Sequence, residues 1–189
     1  TLVRKLADYL ELPESYILCG NGAADLIFSY VLAEKPKKAL VTAPTFSEYE
    51  QALRTVGCDI HHVYLYTKDD FEVNENILLN LTSDLDVVFL CSPNNPTGKK
   101  IPKNLLTQIL EKCVEYQIRL ILDECFYEFL ENPEEATMQA EVKNCSQLVI
   151  LRAFTKMHAI PGLRLGYILC RDNSLLERMQ RVRQPWSVS

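Results

Sequence analysis

Apolar positions along the chain alternate between two periods. Leu2, Leu6, Tyr9 and Leu10 form a helical stripe over Thr1 to Leu12 that ends before Pro13. Helical spacing recurs over Ala23–Glu34, Phe46–Val56, Asn76–Leu81, Lys103–Gln117 and Ser174–Val182. Between them lie short apolar runs: Tyr16–Cys19, Ala39–Thr42, Ile60–Tyr66, Val87–Cys91, Leu120–Leu122, Leu148–Leu151 and Leu165–Cys170. Several of these runs have no polar alternate, which is the mark of strands buried on both faces. The pattern predicts one α/β domain, a mostly parallel sheet with helices on both faces. In open sheets of this kind a ligand sits beyond the carboxyl ends of the strands. Four unusual segments fall there: Gly20-Asn21-Gly22, Pro44-Thr45-Phe46, Ser92 to Gly98, and Asp123-Glu124.

Composition narrows the reading. The 189 residues are 48% hydrophobic and 24% charged, a globular balance that excludes a disordered tail or a collagen-like repeat. The net charge is −5 and no Lys/Arg run exceeds two, so a nucleic-acid partner is not expected. The apolar runs fall well short of the ~20 residues of a membrane span, and the amphipathic start lacks a signal-peptide core. A soluble, cytoplasmic protein with no membrane partner is the expectation. The seven cysteines form no C-x-x-C pair and sit mostly in apolar runs, so they read as buried thiols in a reducing compartment. His61 and His62 point to opposite faces of a strand and His158 stands alone, so no metal site is expected.

The candidate chemistry is concentrated at the strand ends. Gly20-Asn21-Gly22 followed by Ala23-Ala24 joins a strand to a helix, where backbone amides and the dipole favour an anion. Asp25 stands at the third glycine position of a dinucleotide fingerprint and no P-loop Lys-Ser/Thr follows, which counts against a nucleotide-binding domain. A helix cap is the plainer alternative for this segment. Asp123 ends an apolar strand, where an ionised carboxylate is costly without a partner. It is either a helix N-cap or the group that holds a protonated ring nitrogen. Lys156 and Arg164 flank a Pro-Gly turn. Lysine forms Schiff bases once its pKa is lowered, and arginine suits bidentate binding of phosphate.

Taken together, these motifs resemble the fold-type-I pyridoxal-phosphate enzymes of aminotransferase class I/II. Ser92-Pro93-Asn94-Asn95-Pro96-Thr97-Gly98 matches the family's SPNNPTG loop. Asp123-Glu124-Cys125-Phe126 matches its DE-x-aromatic strand end, and Thr155-Lys156 with Pro161 to Gly166 its lysine segment. Order and spacing agree over the whole chain. Within the family the branch is similar to histidinol-phosphate aminotransferases and threonine-phosphate decarboxylases. Ala43 to Glu50 and the ending Gln184 to Val188 lean to the decarboxylase side.

The resemblance implies a PLP-binding large domain over residues 1–189, with the N-terminal arm and the C-terminal small domain outside this chain. It implies pyridoxal 5'-phosphate as cofactor, a small-molecule amino substrate, phosphorylated in this branch, and a homodimer. The implied activity is amino transfer of the histidinol-phosphate aminotransferase type, with threonine-phosphate decarboxylation as the alternative. A non-catalytic binding module is a third reading, against which the intact Lys156, Asp123 and Arg164 speak. By the same resemblance Lys156 carries the Schiff base, Asp123 pairs with the pyridine nitrogen and Asn95 bonds the phenolic oxygen. The Ala23 and Ala24 amides, Thr155 and Arg164 bind the phosphate, and Phe46 stacks on the ring. Phe126 stands where the family has a tyrosine that also bonds the phenolic oxygen. That role then falls to Asn95 alone or to Tyr127, which a strand end aims the other way.

Overall fold

Successive residues of a strand face opposite sides of a sheet, and the chain uses both sides. The computed structural model describes residues 1–184. In chain order the elements are Leu2–Leu10 (α1), Ile17–Gly20 (β1), Gly22–Glu34 (α2), Lys38–Ala43 (β2), Glu48–Thr55 (α3), Asp59–Tyr64 (β3) and Ile77–Asn80 (α4). Val87–Cys91 (β4), Lys103–Glu115 (α5), Arg119–Asp123 (β5), Pro133–Ala136 (α6), Leu148–Ala153 (β6), Gly166–Cys170 (β7) and Asn173–Val182 (α7) follow.

The seven strands form one sheet in the order β1-β7-β6-β5-β4-β2-β3. Strands β3, β2, β4, β5 and β6 are parallel neighbours, and β7 runs antiparallel to both β6 and β1. In β4, Val88 and Leu90 enter a core shared with α1 and α5, whereas Val87, Phe89 and Cys91 enter one shared with α2, α3 and α7. The mostly parallel α/β sheet covered on both faces is therefore as expected, and the unbroken apolar strands are the reason.

Two elements are shorter than the periodicity suggests. The helix expected from Phe46 begins at Glu48. Thr45 donates to Asn94 Oδ1 at 2.7 Å and Asn94 Nδ2 donates to the Pro44 carbonyl at 3.0 Å, which holds the approach to α3 off the helical path. The strand expected to reach Tyr66 stops at Tyr64, paired with Ala43, and the last bond along this edge runs from the Leu65 amide to the Ala43 carbonyl at 2.7 Å. Other boundaries differ by a residue or two, within ordinary fraying. Among the described residues no helix is long and apolar enough to cross a membrane. All seven cysteines are free thiols, three of them buried.

The topology also sets the site. Because β7 is antiparallel to its neighbours, its first residue lies beside the last residues of β1 and β6, in the pairs Gly20–Gly166 and Ala153–Gly166. Arg164, just before β7, is thereby delivered to the edge where β1, β4, β5 and β6 end.

Candidate active site

A cavity opens at this edge. Its walls include all eight residues that the sequence reading singles out: Ala23, Ala24, Phe46, Asn95, Asp123, Thr155, Lys156 and Arg164. Phe126, Cys91, Cys125 and Gly22 complete much of the wall.

Each group arrives by a distinct local route. Ala23 and Ala24 lie in the first turn of α2, where backbone N–H groups have no helical acceptor. Gly22 opens that turn at φ +83°, and a Cβ there would come within 3.4 Å of Arg164 Nη2. Gly166 fits still more closely: a Cβ would lie 2.8 Å from the Gly22 carbonyl carbon and 2.9 Å from the Ala23 nitrogen. These two glycines let β7 and α2 close up around the amides. Arg164 itself adopts φ 48°, the left-handed region that non-glycine residues avoid, after one 3-10 turn over Pro161–Leu163. Asn94 and Asn95 divide their work. Asn94 is buried and ties the loop to Pro44 and Thr97, whereas Asn95 faces the cavity.

Asp123 is buried, and both carboxylate oxygens are engaged. Oδ2 accepts from the Tyr49 hydroxyl at 2.6 Å and Oδ1 from the Cys125 amide at 2.9 Å. It caps no helix: the 3-10 turn that follows, Tyr127–Phe129, starts from Phe126 without a side-chain cap. Burial and the nearby Asp123 charge push the Tyr49 phenol well above its ordinary pKa, so it stays a donor. The same two causes, burial first, keep the Cys125 thiol protonated. Lys156 Nζ lies 5.5 Å from the centre of the Phe126 ring. Among the described residues, the Lys156 amine, the Thr155 hydroxyl and the Arg164 guanidinium have no hydrogen-bond or ion-pair partner. Tyr127 is not on the cavity wall; its ring lies 3.9 Å from the Arg152 guanidinium on the far side of the strand.

Behind the cavity lies a buried polar cluster that the sequence reading passed over. Arg152 Nη2 donates to Glu124 Oε2 at 2.8 Å and to Thr137 Oγ1 at 2.7 Å, and its Nη1 donates to Gln139 at 2.8 Å. Glu124 also accepts from Thr137 and from the Met138 amide. A charged residue in the otherwise apolar run Leu148–Ala153 was the available signal, since such a residue is buried only with a partner. Tyr49 left no such trace, because an aromatic residue on an amphipathic helix reads as core.

A family model for aminotransferases of class I and II matches residues 1–189. The chain belongs to that family. This aminotransferase-family chain is 42% identical over 188 residues to the threonine-phosphate decarboxylase of Salmonella typhimurium, covering 100% of the chain and 51% of the relative. It is 32% identical over 195 residues to a histidinol-phosphate aminotransferase of Desulfitobacterium hafniense, at 100% and 52% coverage. The crystal structure of the histidinol-phosphate aminotransferase from Clostridium acetobutylicum superposes with a TM-score of 0.87 at 30% identity, over 97% of this chain and 54% of that one. The chain spans about half the length of the relatives it matches.

Members of the class I and II aminotransferase family use pyridoxal phosphate, and the donor set suits that group. Amides, a hydroxyl and a guanidinium line the cavity, and Arg164 Nη2 lies against Gly22 at the start of α2, as an anion requires. The same wall carries a buried carboxylate, an aromatic ring and a primary amine of the kind that condenses with an aldehyde. Gly166 brings backbone against the Gly22 and Ala23 peptide with no room for a Cβ, the close backbone approach that a phosphate cradle uses.

Proposed function

We propose that this chain is the cofactor-binding large domain of a pyridoxal-phosphate enzyme acting on a phosphorylated amino substrate, with amino transfer as the reaction. The convergence of Lys156, Asp123, Asn95 and Arg164 on one cavity carries the reading. Lys156 would hold the cofactor covalently, and when freed it is the base positioned to carry a proton. Asp123 would keep the ring nitrogen protonated, Asn95 would donate to the phenolic oxygen, and Phe46 would cover the ring. The amides of Ala23 and Ala24, the Thr155 hydroxyl and Arg164 would bind the phosphate. The bound group supplies the electron sink that a substrate Cα bond needs to break. With Phe126 lacking a hydroxyl and Tyr127 committed to Arg152, Asn95 is the side chain left to serve the phenolic oxygen.

A second reading, decarboxylation of threonine phosphate, is favoured by one observation: 42% identity to a threonine-phosphate decarboxylase against 32% to a histidinol-phosphate aminotransferase. Of the two stretches that lean the same way, Ala43 to Glu50 contributes Phe46 to the cavity wall, whereas Gln184 to Val188 falls outside the described residues beyond Gln184. The residues named above serve either bond cleavage. A cytoplasmic location and a homodimer belong to the same reading, the homodimer supported by the apolar Met157 and Leu163 exposed beside Lys156 and Arg164.

Borohydride reduction of the pyridoxal-phosphate-loaded protein followed by peptide mapping tests the assignment. The label is expected on Lys156 and absent from Lys156→Ala; a label on Lys99 or Lys100 overturns it. Turnover of histidinol phosphate with 2-oxoglutarate, compared with CO₂ release from threonine phosphate, decides between the two reactions.

A further inference from the structure

We propose that Tyr49 is a positioning residue that holds Asp123 ionised and fixed in orientation, so that the proton of the Asp123–pyridine pair stays on the ring nitrogen. The inference rests on the reading that Asp123 faces that nitrogen.

Tyr49 is fully buried on α3, and its hydroxyl reaches Asp123 Oδ2 at 2.6 Å, a short distance for an O–H donor to a carboxylate. An anion this buried is costly unless donors surround it. Among the described residues no cation forms an ion pair with Asp123, so its donors are the Tyr49 phenol and Cys125, through its amide and its thiol. Cys125 supplies a backbone bond that any residue at that position would make. A thiol is a weak donor, so the phenol makes the main side-chain contribution, and it stabilises the charged carboxylate over the neutral acid.

The ring of Tyr49 is itself locked. It stacks on Phe89 with centroids 5.2 Å apart and planes 22° from parallel. Its other contact is edge-to-face with Phe46, at 5.6 Å and 81°. One buried side chain therefore braces both the carboxylate and the aromatic lid proposed to cover the ring. Helix α3 is amphipathic, so its inward face would be filled by any large apolar residue; only a phenol also donates. A leucine or phenylalanine there would preserve the core and lose the bond.

Tyr49→Phe removes the hydroxyl and keeps the ring, its stack and its edge contact. The readout is the ¹⁵N chemical shift of the ring nitrogen in labelled pyridoxal phosphate bound to the protein. The wild type is expected at the protonated position, and Tyr49→Phe is expected to move towards the unprotonated one. Steady-state rates on whichever substrate turns over should fall about tenfold in kcat, with KM and cofactor Kd within about twofold, the scale of one lost bond to a charged group. In a second variant, 3-fluorotyrosine introduced at position 49 keeps a stronger donor and should retain the protonated shift. If wild-type protein takes up no pyridoxal phosphate at Lys156, the functional reading falls and this inference with it. If it does take up the cofactor and Tyr49→Phe leaves both the shift and kcat unchanged, Tyr49 is core alone and the inference is overturned.

Discussion

Replacing Arg152 by methionine should be among the most damaging single changes in this chain. The guanidinium is 2% exposed and Glu124 is 1% exposed, so neither is reached by water. Methionine keeps most of the stem volume but takes away the bonds to Glu124, Thr137 and Gln139 and the contact with the Tyr127 ring. Glu124 is left charged and buried, with donors only from Thr137 and the Met138 amide. Removing one partner of a buried pair costs about 3–5 kcal/mol, and the two surviving donors place this case near 3. For a domain of this size that lowers Tm by about 10 °C. Urea denaturation with linear extrapolation measures it. The double variant Glu124→Gln/Arg152→Met removes both charges and should recover more than half of the loss. Glu124 follows Asp123 directly, and Arg152 stands on the strand leading to Lys156, so the pair also fixes the register of two site-bearing strand ends. Pyridoxal-phosphate uptake should weaken in the single variant and return in the double. A single variant within 1 kcal/mol of wild type, or a double no better than the single, would refute this account.

Three further outcomes follow from other features. Gly166→Ala puts a Cβ 2.8–2.9 Å from backbone atoms of Gly22, Ala23 and Arg152, none of which can swing away, so cofactor affinity should drop at least tenfold in a titration of the visible absorbance band. An unchanged Kd would mean that β7 and α2 are not tightly joined at the cradle. Asp123→Asn should cut kcat far more than cofactor affinity, because Arg164 and the α2 amides still hold the phosphate; near-normal turnover would leave Asp123 a purely structural group. Burial pushes the thiols of Cys19 and Cys170 up to about 11 and that of Cys113 up to about 12, against 9.0 for an exposed thiol. As pH rises above 9 the unfolded chain loses these protons while the native one keeps them, so stability should decline between pH 9 and 11. Denaturation midpoints that stay flat across that window would show that these thiols are accessible.

The hydrophobic pattern determined the architecture. Unbroken apolar strands such as Val87–Cys91 and Leu148–Leu151 must be covered on both faces, and helices of matching period lay between them. The pattern also placed polar, glycine- and proline-bearing segments at the strand ends, where a parallel sheet leaves its crevice. Linear motifs were legible for the same reason: Ser92–Gly98, Asp123 and Lys156 each owe their position to a short stretch and the strand before it. What the chain alone did not reveal depends on residues far apart in sequence. Tyr49 and Asp123 meet across 74 positions, and Arg152 and Glu124 across 28. The close fit of Gly166 against Gly22 exists only because β7 runs antiparallel between β1 and β6. Period and composition encode which face of an element is buried. The partner it meets there is decided by strand order and register, and those emerge only when the whole sheet assembles.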